Sequence, residues 1–352
     1  MWSIIGHSAA LVAIERALVS ERPAHAWLFD GPDGVGKLTV ALEFAAALNC
    51  TNRAAGPGPC GECRDCRDIL AGRHADVEIV APGGMCDEPE HKDHPDSRDL
   101  RICQVRRLER VLSLSPYSAQ RRVAIIDAAD TLRTEAANAF LKTLEEPPAD
   151  TVIILLVERI ERLPETVLSR CQRVPFRPIE RQAIEEALVA KGASAEEAAT
   201  LAAASGGKLG WALRAQEDPS LLEERDQMLD EAMRLAHAGR LERFAWAKEA
   251  EGRAPGVRER YIRELGVWET WWRDVLLFGA GGTEGAANPD RESTLLSEGK
   301  LYNASEIVTF LKAIAQTREH LQTTIDAQLA LENLTLDLPS PRGAATGASR
   351  AR

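Results

Sequence analysis

At 352 residues the chain is long enough for two or three domains, and a hydrophobic content of 45% can supply their cores. A formal net charge of −11 argues against a protein that coats nucleic acid nonspecifically. No stretch reaches the ~18 consecutive apolar residues of a membrane span. The opening Met1-Trp2-Ser3-Ile4-Ile5-Gly6-His7 lacks the basic and long apolar segments of a signal peptide, so a cytoplasmic location is expected. In that reducing setting the seven cysteines are expected as metal ligands or core residues, not disulfides.

Residues 26–29 (Ala-Trp-Leu-Phe) read as a short buried strand leading into Gly31-Pro32-Asp33-Gly34-Val35-Gly36-Lys37. Leu38 to Leu48 follows with Val40, Phe44, Ala47 and Leu48 on one helical face. Val77–Val80, Val123–Ile126 and Val152–Val157 are further strand candidates. Pro82 to Asp99 is rich in Gly, Pro, Asp and His and reads as an exposed insertion. Its His91 and His94, near Cys86, read as a solvated loop more than a metal site. Residues 101–122 hold Arg101, Arg106, Arg107, Arg110, Arg121 and Arg122 against Glu109. They read either as a solvated helix face or as a contact surface for an acidic partner or phosphate backbone.

Leu132, Ala136, Phe140 and Leu144 recur every four residues, and Glu145-Glu146-Pro147-Pro148 stops that helix. Strands alternating with helices predict a parallel sheet covered on both faces. Ile179 to Leu213 is rich in Ala and Glu and broken at Gly192 and Gly206-Gly207, which suggests three short helices. From Pro219 onward the pattern is wholly helical, with Trp268, Trp271 and Trp272 as packing residues and Gly279 to Pro289 as a flexible connection. Ile307, Phe310, Leu311, Ile314, Leu321, Ile325 and Leu329 mark one long helical segment. Ser340 to Arg352 lacks apolar periodicity and is expected as a disordered tail.

The glycine-rich segment has the spacing of a phosphate-cradling P-loop, but the hydroxyl residue that should follow Lys37 to hold Mg²⁺ is Leu38. Thr39 comes one place late, about 100° round the helix. Asp127 ends a strand as a metal-binding acid would, but the acid expected next, to polarise water, is Ala128. The degenerate nucleotide-binding set is thus Gly31, Gly34, Gly36, Lys37, Thr39 and Asp127. It could hold ATP or ADP weakly through backbone N–H groups, or survive only as a turn for strand–helix packing. Cys50 with Cys60-x₂-Cys63-x₂-Cys66 matches a closed, structural Zn²⁺ site. In Leu163-Pro164-Glu165-Thr166-Val167-Leu168-Ser169-Arg170-Cys171, Arg170 can serve either as a finger acting in trans or as a structural partner of a carboxylate.

Asn138-Ala139-Phe140-Leu141-Lys142-Thr143-Leu144-Glu145-Glu146-Pro147-Pro148 and Leu168-Ser169-Arg170-Cys171 together resemble the clamp-loader AAA+ ATPases of bacterial replication. The four-cysteine module is similar to that of the gamma/tau and delta-prime subunits of DNA polymerase III. Ala327 to Leu334 resembles the collar helix of that family. The resemblance implies an AAA+ P-loop domain with a parallel sheet over 1–177, carrying the zinc module at about 50–66. It also implies a three-helix lid over 178–216, a helical collar over 217–338 and a tail over 339–352.

The departures at Leu38 and Ala128 resemble the delta-prime branch. So does the lack of a nucleotide-sensing arginine near Ser205–Trp211, where Gly210 takes the position. That branch implies gamma/tau and delta partners. Through their complex it implies a sliding clamp and primed DNA, with Arg170 serving a neighbour's ATP site. It also implies a component of DNA polymerase III holoenzyme without polymerase activity and with little ATPase activity. The alternatives are a catalytically active gamma/tau-type ATPase and a zinc-dependent DNA-binding module.

Overall fold

The computed structural model describes residues 2–20, 24–52, 56–86, 97–250, 256–322 and 325–342. His91, His94 and residues 343–352 of the expected tail lie outside the described residues. Packing divides the chain into two units, Met1–Ala183 with Gly207–Gly210, and Ile184–Gly206 with Trp211–Arg352.

The first unit runs α1 (Ser8–Val19), β1 (Ala26–Asp30), α2 (Lys37–Leu48), α3 (Arg64–Leu70), β2 (Val77–Val80), α4 (Ile102–Leu112), β3 (Arg122–Ile126), α5 (Thr134–Glu145), β4 (Thr151–Val157), α6 (Glu165–Leu168) and β5 (Gln172–Pro175). The strands form one sheet in the order β2-β3-β4-β1-β5. All its pairings are parallel. β4 reads Thr-Val-Ile-Ile-Leu-Leu-Val because every one of its positions is buried. Val152, Ile154 and Leu156 pack with Trp27 and Phe29 of β1 and Phe44 of α2 on one face. Ile153, Leu155 and Val157 pack with Leu28, Phe140 and Leu144 on the other. β5 was not foreseen.

The arginine-rich stretch divides in a way that neither sequence reading anticipated. Arg122 is buried; it pairs with Asp76 at 3.0 Å and donates to the carbonyls of Val111 and Ser115. Asp76 also accepts the N–H groups of Tyr117, Ser118 and Ala119, fixing the loop before β3. Arg107 pairs with Glu78, whereas Arg106 and Arg110 are exposed.

The second unit contains most of α7 (Arg181–Ala190), then α8 (Ala195–Ala204) and α9 (Leu209–Glu217), the start of which belongs to the first unit. It continues with α10 (Ser220–His237), α11 (Arg240–Lys248), α12 (Val257–Gly279), α13 (Glu292–Leu301), α14 (Ala304–Leu321) and α15 (Ala327–Leu336). The three tryptophans of α12 are buried: Trp268 stacks on Trp246 with centroids 4.9 Å apart, and Trp272 meets Tyr302 and Phe310 edge-on.

Two expectations are corrected here. The single long segment through 307–329 is two helices, because the Asp326 side chain accepts the N–H of Leu329 and caps a new start. The connection 279–289 is held, not loose. The buried Asp274 carboxylate accepts the backbone N–H groups of Ala287 and Asn288 and the Asn288 amide, at 2.8–2.9 Å. Buried Arg225 donates to the Ala287 carbonyl and to Asn288. Among the described residues no helix is long and apolar enough to cross a membrane.

α12 also carries a buried acid. Glu264 is 2% exposed and accepts the Trp246 indole N–H at 3.2 Å. Burial pushes its carboxyl up to about 7 from an ordinary 4.5. The folded state therefore keeps a proton that the unfolded chain has already released above about pH 4.5. Stability falls as pH rises from about 4.5 to about 7, then levels off. Glu264→Gln keeps the acceptor and removes this slope. At pH 8 it is expected to be more stable than the parent by up to about 3 kcal/mol, and at pH 4.5 equal to it. Superimposable thermal-unfolding profiles against pH for the two proteins would rule this out.

Candidate functional site

The glycine loop leaves the sheet where β1 lies between β4 and β5, at the carboxyl edge where α/β sheets take ligands. Gly31 N–H donates to the Val157 carbonyl at 3.1 Å. A Cβ at Gly31 would lie 2.4 Å from the Phe176 carbonyl oxygen, so only glycine fits. Gly34 and Gly36 have φ of 75° and 102°, where other residues are strained. Three residues that the sequence reading did not single out support this loop. His7 Nε2 donates to the Val35 carbonyl at 2.8 Å. Its ring packs on Phe176 with centroids 4.8 Å apart. The Lys208 side chain lies over Gly34.

Lys37 folds back on its own loop. It is 8% exposed, and its Nζ donates to the carbonyls of Gly31 and Pro32 at 2.5 and 2.8 Å. Burial lowers its pKa, opposed by the charges of Glu158, Asp33, Asp127 and Asp130 around it. Burial raises the carboxyls of Asp127 and Glu158, and Asp33 adds repulsion. Glu158 is a further unforeseen neighbour: it follows β4, whose Val157 pairs with Asp30. Leu38 and Thr39 are exposed on the first turn of α2. The Asp127 carboxylate accepts the N–H of Ala128, which stands in the left-handed region at φ 51°. The loop keeps its shape, and its lysine is held on the Gly31 and Pro32 carbonyls with Glu158, Asp33, Asp127 and Asp130 around it.

The four cysteines converge. The Sγ atoms of Cys50, Cys60, Cys63 and Cys66 all lie within 4.8 Å of one another. A tetrahedral Zn–S₄ site with bonds of about 2.3 Å has S···S edges of about 3.8 Å. Cys60 and Cys66 are 3.9 Å apart. Cys50 follows α2, and Cys63 caps α3, so both helices set the geometry. Cys63 N–H donates to Cys60 Sγ at 3.3 Å and Cys66 N–H to Cys63 Sγ at 3.4 Å, as suits thiolates. Such hydrogen bonds, from Cys63 and Glu62, lower the Cys60 thiol. At Cys63 burial opposes ionisation, but N–H bonds from Cys66 and Thr51 outweigh it and bring the thiol down to about 6. Burial pushes the Cys66 thiol up. The quartet has the geometry to hold one metal ion.

Arg170 lies beyond α6, on the same unit but apart from the glycine loop's contacts. Nη1 donates to the Thr166 carbonyl at 2.7 Å and to Ser169 Oγ at 3.2 Å. Nη2 pairs with Glu145 at 2.6 Å. The side chain remains 33% exposed.

The family model described as DNA polymerase III, delta subunit, matches residues 6–180. The DNA polymerase III subunit delta' of Bacillus subtilis is 27% identical over 324 residues, covering 92% of this chain and 93% of that protein. The subunit of the same name from Pseudomonas aeruginosa is 39% identical over 148 residues, 42% of each chain. DNA polymerase III subunit tau of Bacillus subtilis is 35% identical over 181 residues, 51% of this chain and 30% of that longer protein.

Proposed function

Because the chain belongs to the delta-prime family of DNA polymerase III subunits, we propose that it is the non-hydrolysing, arginine-donating member of a clamp loader. Its partners are gamma/tau-type and delta-type subunits. Together they load a sliding clamp onto primed DNA in the cytoplasm, driven by ATP bound in the neighbours. Three domains follow in this reading: the P-loop domain over 1–177, the lid over 178–216 and the collar over 217–338. The observation that carries the proposal is Leu38 where a Mg²⁺ ligand belongs, with Ala128 where a water-polarising acid belongs. Zinc at Cys50, Cys60, Cys63 and Cys66 has a closed shell, so its role is structural. Arg170, with a partly exposed guanidinium past β4, acts on the ATP of the adjacent subunit.

Co-purification with gamma/tau-type and delta-type subunits tests the assignment; a monomer that ignores both contradicts it. A second expected outcome concerns the pocket. The isolated chain binds Mg²⁺-ATP or Mg²⁺-ADP weakly and hydrolyses ATP negligibly. Leu38→Thr with Ala128→Glu strengthens Mg²⁺-nucleotide binding by calorimetry without restoring turnover, since no sensing arginine and no neighbour's finger are supplied. Brisk hydrolysis by the unaltered monomer, abolished by Lys37→Ala, would instead make this a gamma/tau-type ATPase.

A further inference from the structure

Glu145 occupies a position that helix electrostatics disfavour. It is the last residue of α5, where the exposed carbonyls already place partial negative charge. Its carboxylate meets Arg170 Nη2 at 2.6 Å. The same guanidinium donates to the Thr166 carbonyl within α6, so it sits against a second helix end of the same polarity. Ser169 Oγ takes another N–H from Nη1. A guanidinium has five N–H groups in a planar fork. Two on Nη1 and one on Nη2 are used, which leaves Nε–H and the second Nη2–H without a partner among the described residues.

From this arrangement we propose that Glu145 is a positioning residue for Arg170. With Thr166 and Ser169 it fixes the plane of the guanidinium and leaves Nε–H and one Nη2–H for a phosphoryl oxygen of a nucleotide on the neighbouring subunit. The inference rests on the reading of Arg170 given above. Its physical basis is preorganisation: a free arginine must freeze its long side chain as charge develops, whereas a held one has already done so. The carboxylate acts as an acceptor at fixed reach, and its charge is secondary. The pair is partly exposed, with side chains 33% and 51% accessible, which bounds the effect at about fivefold.

The test uses the assembled complex with Glu145→Ala, Glu145→Gln, Arg170→Ala and the double variant Glu145→Ala/Arg170→Ala. ATP turnover, KM for ATP and thermal unfolding are measured for each. In an assembly where only the site bordering this chain is competent, Glu145→Ala is expected to lower kcat about three- to fivefold with KM unchanged. Glu145→Gln, which keeps an acceptor oxygen at the same reach, stays within about twofold of the parent. The double variant is no slower than Arg170→Ala alone. Two results overturn the inference while leaving the arginine's role standing: turnover with Glu145→Ala at or above the parent rate, or an undiminished Glu145→Ala effect in the Arg170→Ala background. An unchanged rate with Arg170→Ala overturns both this inference and the reading beneath it.

Discussion

Replacing Cys66 with serine is expected to release the metal and loosen the lobe formed by the end of α2, the other three cysteines and α3. Cys66 and Cys50 are buried, at 0% and 1% exposure, and belong to the core that also contains Phe44 and Trp27. The metal thus closes one end of that core. Apparent zinc-binding energies in small zinc domains are about 10–16 kcal/mol, and there they are folding energy. Here α2 keeps its own packing on the sheet, so only part of that coupling is lost. A destabilisation of about 3–5 kcal/mol, lowering Tm by roughly 10–15 °C, is expected for the first unit. Strong chelators should reproduce it in the unaltered chain. One zinc per chain by elemental analysis supports the site. Four freely titrating thiols in metal-free protein, with unfolding insensitive to chelator, would reject it.

Arg170→Ala is expected to leave folding, zinc content and assembly intact while slowing the ATP site that this chain borders. Arginine fingers in GTPase systems contribute about 10³–10⁵ in rate. The whole complex should lose less, because its other sites carry arginines of their own. Loss of the Glu145 pair costs little stability, since ion pairs this exposed contribute about 0–1 kcal/mol. Arg170→Lys should rescue little of the rate: an ammonium has one point charge and cannot reproduce the planar fork that also holds Thr166 and Ser169. Clamp loading should fall together with DNA-stimulated ATP turnover. A correctly assembled Arg170→Ala complex with normal turnover would reduce this residue to a bridge between α5 and α6.

The parts legible in the sequence are those with a local physical signature. β4 announces itself because Val152 to Val157 is an unbroken apolar run, and the cysteine quartet because three of its members recur at fixed short spacing. β5 does not, since only Val174 of Gln172–Pro175 is buried and the rest of the strand is exposed at the sheet edge. Arg122 reads as part of a basic surface until its partner is known, and Asp76 lies 46 residues away. The same holds for the glycine loop. Its glycines and Lys37 are contiguous, but His7, Glu158 and Lys208 reach it from distant segments that carry no motif. The inward turn of Lys37 has no sequence signature, because it depends on where the carbonyls of Gly31 and Pro32 point. Asp326 falls inside the apolar spacing of 307–329, although its side chain starts a new helix.

The most direct test is single-turnover ATP hydrolysis in a complex where only the nucleotide site bordering this chain remains competent. The other ATPase subunits would carry disabled P-loops. With this chain unaltered, the site should fire on addition of clamp and primed DNA. With Arg170→Ala in an otherwise identical assembly, the rate should fall by about 10³-fold while ATP still binds. An equal rate in the two assemblies, with zinc and subunit composition verified, would contradict the account.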